Sequence, residues 1–131
     1  MSLSKYAVGA VMATADMDKA KDFYEKKLEL EVLSDNTPDG PVSYKGADAT
    51  GISVYLSPEH AGKSTATMAA WVVDDLEDVV DELTSKGVSF EQYGEDGPGS
   101  TDEKGIIAFE GGKVAFLRDP DGNTHSLNEW A

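Results

Sequence analysis

The chain contains no cysteine, which excludes disulfides, thiolate metal sites and cysteine nucleophiles. Such a chain suits a reducing cytoplasm, the compartment expected here. No apolar run approaches the roughly 18 residues that span a bilayer. No basic stretch leading into an apolar one reads as a signal peptide. Basic residues are scarce: 11 Lys and Arg stand against 25 Asp and Glu, a net charge of −14. A surface of that sign repels phosphate backbones and anionic lipid, so neither nucleic acid nor membrane is an expected partner. The acids are spread along the chain, which reads as a solubilising surface. Histidine is scarce too. His60 and His125 are the only two, and their unrelated spacing makes no metal motif. The Gly-rich stretches lack the Lys-Ser/Thr ending of a phosphate-binding loop.

What the chain does have is a repeat. Ala13-Thr14-Ala15-Asp16-Met17-Asp18-Lys19-Ala20 is answered by Val72-Val73-Asp74-Asp75-Leu76-Glu77-Asp78-Val79, at a constant offset of 59 positions. Each copy is the end of an apolar strand, a capping carboxylate and the start of a helix. A duplicated unit of this size points to two structural copies facing one another, with a site built between or within them. The 131 residues suffice for one domain with a substantial core.

Hydrophobic spacing fills in the elements. Residues 5–15 read as a strand. Met17, Ala20, Phe23, Tyr24 and Leu28 then recur at helical spacing, with charged residues opposite. Strands are expected at Glu31–Ser34, Val42–Lys45 and Gly51–Ser57. The second copy reads as a strand at Thr65–Val73, a helix from about Asp75 to Lys86 closed by Gly87, and strands at Val88–Tyr93, Ile106–Glu110, Lys113–Arg118 and Thr124–Trp130. Gly111-Gly112 is the expected hairpin turn. The fold class is α+β: a single domain over 1–131, built from two modules at about 5–57 and 65–130 with a linker at 58–64.

At this point the sequence resembles the vicinal oxygen chelate superfamily of glyoxalases, bleomycin resistance proteins and extradiol dioxygenases. The resemblance rests on Asp16–Tyr24, on Val73-Asp74-Asp75-Leu76, and on Val114–Asn123 with its Arg118-Asp119-Pro120-Asp121-Gly122-Asn123 turn. It implies two βαβββ repeats curled into an open, cup-shaped half-barrel, commonly in a homodimer whose pockets use both chains. It also implies metal ligands at particular positions, occupied here by Gly9, Met68 and Ser126. The fourth would come from the strand carrying Ser53, Tyr55 and Ser57. Glycine has no donor, methionine is soft and serine is weak and neutral, so no metal cofactor is expected.

By strand alternation His125 shares a side with Leu127 and should be packed against a helix, as should Trp71. His60 lies in the polar linker. Glu59, Asp102 and Glu103 are candidate general bases only if they fold over the cup. Ser126 lacks a neighbouring His and acid and is not read as a nucleophile. What remains is a ligand pocket of small, apolar and aromatic residues: Gly9, Val11, Tyr55, Met68, Ala70, Ser126, Asn128 and Trp130. The expected function is binding of a small organic molecule. Tyr55 and Trp130 would stack on it, Ser126 and Asn128 would orient it, and rim acids would favour a cation. The alternative is a metal-dependent lyase, isomerase or dioxygenase using ligands from other positions, such as His60 or Glu59.

Overall fold

The computed structural model describes residues 2–131. The first copy comprises β1 (Ala10–Thr14), α1 (Met17–Lys21), β2 (Glu31–Asp35), β3 (Val42–Lys45) and β4 (Gly51–Leu56). The second comprises β5 (Thr67–Val72), α2 (Leu76–Ser85), β6 (Ile106–Phe109), β7 (Gly112–Arg118) and β8 (Thr124–Trp130). They form two four-stranded sheets of equivalent order, β1-β4-β3-β2 and β5-β8-β7-β6. In each, the first strand pairs parallel with the last and the remaining pairs are antiparallel. The sheets do not close on one another, which gives the open half-barrel. No helix among the described residues is long and apolar enough to cross a membrane.

The repeated carboxylates do the same work in both copies. Asp16 accepts the Lys19 N–H at 3.2 Å and Asp75 accepts the Asp78 N–H at 3.2 Å, so each satisfies a donor left free by the first helical turn. At the other end of α2, the Gly87 N–H reaches the Thr84 carbonyl and the Val88 N–H reaches the Leu83 carbonyl, both at 3.0 Å. That double bond pattern needs a left-handed residue, and Gly87 sits at φ +91°.

Four expectations change. The first helix does not stay α-helical to Leu28: it continues from Lys21 as a π-helical turn over Asp22–Lys27, and the adjacent rings of Phe23 and Tyr24 are both buried. The strand expected at Val88–Tyr93 is only a bridge between Phe90 and Leu117. The cause is competition for one edge. β6 takes Gly112–Ala115 of β7 as a hairpin, so only the last residues of β7 remain free. The hairpin also turns one residue earlier than Gly111-Gly112, because Phe109 pairs with Gly112 and the turn is Glu110-Gly111. Gly112 instead serves a close approach: at φ +148°, a Cβ there would run into the Glu129 carbonyl of β8. β1 is also shorter than the 5–15 expected, with a 3-10 turn at Leu3–Lys5 before it.

One core joins the copies. Met12, Tyr24, Val42, Tyr44 and Val54 from the first pack in the same cluster as Leu76, Val80, Ala115, Leu117 and Leu127 from the second. Each fully buried Val, Leu or Met among them contributes roughly 1.5–3 kcal/mol. The opposite sheet surfaces are bare, with Val11 57%, Val72 70% and Trp130 58% exposed.

Candidate functional site

The two modules meet along a seam between β1 and β5, which are the edge strands of their sheets. The seam is closed at one end and open at the other. At the closed end stands the turn that precedes β8. Its Asp121 accepts the Thr14 hydroxyl at 2.6 Å and the Ala15 N–H at 2.8 Å. Asn123 donates its amide to the Ala13 carbonyl at 2.9 Å, and accepts the Gly62 N–H at 3.3 Å. Asp119 holds this turn together by accepting the N–H groups of Asp121 and Asn123, each at 2.9 Å.

Behind the turn lies a buried polar chain. The Tyr24 hydroxyl is 2.6 Å from Asp119 Oδ2 and 2.8 Å from His125 Nε2. Its proton goes to the carboxylate, so the imidazole donates from Nε2 to the hydroxyl oxygen. Nδ1 is then an unprotonated nitrogen, and it is buried without a partner. The ring lies edge-to-face with Trp71, centroids 5.6 Å apart. Burial lowers the pKa of His125, against the opposing pull of the Asp119 charge. Burial also raises that of the Tyr24 hydroxyl, with Asp119 adding to the effect. These groups are neutral structural partners shut away from solvent, which is where strand alternation places His125.

At the open end the corresponding turn, before β4, is Gly46–Thr50. Its hydrogen bonds are internal: Gly46 N–H to the Thr50 carbonyl at 3.0 Å, and Thr50 N–H to the Ala47 carbonyl at 3.1 Å. None crosses to β5. A cleft of about 510 Å³ results. Its walls are Val8–Ala10 on one side and Met68–Val72 on the other, with Leu30, Tyr44 and Ile52 between them and the Gly46–Thr50 turn at the rim. A volume of this size suits a drug-sized molecule.

The eight pocket residues expected from the sequence are divided by the structure. Gly9, Met68 and Ala70 line the cleft. Val11 and Gly9 line a neighbouring concavity of about 320 Å³ with Leu33, Ser43 and Ser53. Tyr55 is partly exposed near the end of β4, and Trp130 packs edge-on against Phe109 with centroids 6.2 Å apart. Ser126 and Asn128 are buried beside each other in β8, and the Asn128 amide donates to Ser126 Oγ at 3.0 Å. Sequence reasoning missed Leu30, Tyr44 and the Gly46–Thr50 turn. The available signal was the repeat itself: the turn before the last strand of one module should resemble its counterpart in the other.

The positions that the resemblance assigns to a metal do not fit one. A Cβ at Gly9 would lie 2.7 Å from the Gly51 carbonyl oxygen, so that position has no room for a ligand side chain. Met68 offers only a thioether, and Ser126 a neutral hydroxyl already bonded to Asn128. Among the described residues, no three His, Cys, Asp or Glu side chains are grouped to hold an ion. His60 stands on the linker, its Nδ1 2.9 Å from Ser57 Oγ.

Known proteins carry the same fold. The antibiotic-binding protein TnmS3 from Streptomyces sp. CB03234 superposes with a TM-score of 0.69 at 20% identity, over 96% of each chain. The bleomycin resistance determinant encoded on the transposon Tn5 gives a TM-score of 0.67 at 20% identity, over 93% of this chain and 95% of that one. A lactoylglutathione lyase from Agrobacterium tumefaciens gives 0.68 at 15% identity, over 93% and 91%. No curated protein matches the sequence significantly. Residues 7–127 match the profile of the Glyoxalase/Bleomycin resistance protein/Dioxygenase superfamily. Fold, duplicated modules and profile agree, and the chain belongs to that superfamily.

Proposed function

We propose that the protein binds a small organic molecule on the concave side of its two modules and does so without the metal that enzymes of this superfamily use. The observation that carries the reading is the open cleft of about 510 Å³ at the seam, walled by apolar side chains. An apolar wall removes water from a ligand, and a few polar groups fix its orientation. Of the residues expected from the sequence, Gly9, Met68 and Ala70 line this cleft; Tyr55 and Trp130 stand outside it with partly exposed rings that a bound molecule would stack on, and Ser126 and Asn128 are buried and bonded to each other. The donor chemistry at Gly9, Met68 and Ser126 supports the metal-free part of the reading. The descriptions of two proteins that share the fold, an antibiotic-binding protein and a bleomycin resistance determinant, support the ligand-binding part.

A homodimer belongs to the same reading. The concave surfaces expose Val11, Leu33, Tyr55, Val72 and Trp130, an apolar array that a second copy would cover.

The test is a thermal-shift screen of the chelator-treated protein against aromatic and cationic small molecules, and separately against Zn²⁺, Ni²⁺, Mn²⁺ and Fe²⁺. A ligand at a hundredfold excess over its Kd adds about 2.7 kcal/mol to native stability, which raises Tm by several degrees. Organic ligands should shift Tm and metals should not. Stoichiometric metal with a clear shift would instead favour a metal-dependent lyase, isomerase or dioxygenase.

A further inference from the structure

A second cavity lies between α2 and the second sheet, where the end of the first module's helix comes alongside. Its volume is about 210 Å³. Leu28, Trp71, Val79, Leu83, Leu117 and Leu127 line it. Leu117 and Leu127 are core residues, whereas Leu28, Trp71, Val79 and Leu83 are only partly buried. Protein interiors close-pack such side chains; here a space is left beside them. Leu30 and Trp71 border the open cleft as well. The rest of the lining comes from Leu28 and Glu29, Val73, α2, β7 and β8, and none of these borders the cleft.

The charged residues of this cavity are Glu29, Glu82 and Lys86. Lys86 Nζ stands 2.7 Å from the Glu29 carboxylate and 3.7 Å from that of Glu82. Two carboxylates thus share one ammonium, which leaves a negative charge in excess on a protein already at −14. An unusual backbone holds Glu29 there. The Leu30 N–H reaches the Tyr24 carbonyl as the Val88 N–H reaches the Leu83 carbonyl, but one more residue is enclosed. The π-helical turn supplies that residue. Glu29 therefore takes the place that Gly87 has in the second copy, with the same left-handed backbone, φ +56° against +91°. Glycine adopts that conformation freely and glutamate rarely does. A strained residue at the rim of a cavity marks a place where its side chain has a task.

We infer that this cavity binds a small amphipathic cation: a single apolar ring with a short arm that ends in an ammonium group. The site is separate from the cleft and does not depend on what the cleft holds. A dry cavity of about 150 Å³ accommodates benzene, so 210 Å³ accommodates one ring and a short arm. The ring lies against Trp71 and the leucines, and the arm reaches the rim. There Glu82 is the carboxylate less engaged with Lys86. Exposed ion pairs are weak, so Lys86 yields its second carboxylate at little cost. An anionic ligand meets two carboxylates and is disfavoured; a neutral ring gains only the apolar surface.

The experiment uses the full chain with ¹³C-labelled methyl groups and ¹⁵N-labelled indoles, titrated separately with 2-phenylethylamine, 2-phenylethanol and phenylacetate. The three carry the same ring and differ in the charge at the end of the arm. Methyl signals of Val79 and Leu83 report this cavity, that of Met68 reports the cleft, and the Trp130 indole reports the concave face. The amine should shift Val79 and Leu83 and bind about fivefold more tightly than the alcohol, the upper end for an exposed ion pair. Phenylacetate should bind more weakly than the alcohol. Replacing both carboxylates, Glu29→Gln with Glu82→Gln, leaves Lys86 alone at the rim. That variant should lose the preference for the amine and bind phenylacetate at least as tightly as the alcohol. Val79→Phe fills the cavity and should abolish the Leu83 shift with all three compounds. Should it unfold, the double Gln variant still decides, because both of its side chains are 64% exposed. Equal affinity of the parent protein for amine and alcohol would overturn the inference, as would a preference for the amine that survives the double variant. So would shifts at Met68 or Trp130 with Val79 and Leu83 unmoved, which would place the amine on the concave side, or the absence of a saturable shift with every compound.

Discussion

The hydroxyl of Tyr24 lies 2.6 Å from the carboxylate of Asp119, and this contact ties the first module's helix to the second module's last turn. Neither residue is near the other in sequence. Both are buried, and among the described residues no cation pairs with Asp119, so its charge rests on donated hydrogen bonds from Tyr24, Asn123 and the turn backbone. Tyr24→Phe removes one donor from a buried carboxylate and leaves His125 Nε2 without its partner. The expected loss is about 1–3 kcal/mol, since an orphaned buried group costs its desolvation. Urea denaturation with an unchanged m-value checks it; a midpoint equal to that of the parent protein would mean the contact contributes nothing.

Acid should loosen this same region. The folded-state pKa of His125 lies below the ordinary 6.5, chiefly because of burial. Below pH 6.5 the unfolded chain therefore binds a proton that the folded chain refuses, and stability falls as pH falls towards the folded value. Tm should hold between pH 8 and 7 and decline towards pH 5. His125→Gln, which cannot ionise, should show a shallower decline over that interval. Asp35 acts in another window. Its hydrogen bond from Lys21 holds it at about 2, so its contribution is lost only below the usual 3.8. Parallel Tm curves for the two proteins between pH 7 and 5 would clear His125 of the effect.

Adding back a metal ligand at position 9 should fail for a steric reason. Gly9→Ala already places a Cβ 2.7 Å from the Gly51 carbonyl oxygen, a backbone atom that cannot turn aside. A destabilisation of about 1–3 kcal/mol is expected, as for other overpacked sites. Gly9→His should lower Tm at least as much and acquire no stoichiometric Zn²⁺. Metal uptake by that variant would show that the first strand yields more easily than its packing implies.

Asp121→Ala should strip the closed end of the seam, freeing the Thr14 hydroxyl and the Ala15 N–H. Hydrogen exchange should accelerate at Ala15 and in the Asp119–Asn123 turn, with little change in β2 or β6. A uniform increase over the whole chain would point to a global loss instead.

Trp130→Ala tests the aromatic contribution to binding. The indole is 58% exposed, so its removal should leave Tm within a degree or two. Affinity for whichever aromatic compound stabilises the parent protein should drop about tenfold or more, in keeping with a lost stacking partner of roughly 1.5 kcal/mol. An unaltered Kd would take Trp130 out of the site.

Local chemistry was legible in the sequence, and geometry between modules was not. Asp16 and Asp75 announce their helices because a cap acts within three residues. Gly87 announces its stop because only a left-handed residue closes that pattern of bonds. His125 could be placed in the core, since alternation with Leu127 requires no knowledge beyond one strand. Val88–Tyr93 misled because its composition suits a strand while its partner edge is already occupied by β6. The cleft was only half visible. Gly9, Met68 and Ala70 follow from strand position, whereas Leu30 and the Gly46–Thr50 turn depend on where the second module docks. Alternation also put Ser126 and Asn128 on one face without revealing that they bond each other.

The bonds across the closed end of the seam carry a consequence for the repeat itself. A module cut free would keep its strands and helix yet expose half of a shared core, and would strand the groups that Asp119, Asp121 and Tyr24 exchange between the copies. The duplicated units have thus traded autonomy for mutual dependence. Fragments 1–64 and 65–131, made separately, should each lack a cooperative melting transition and should regain one on mixing.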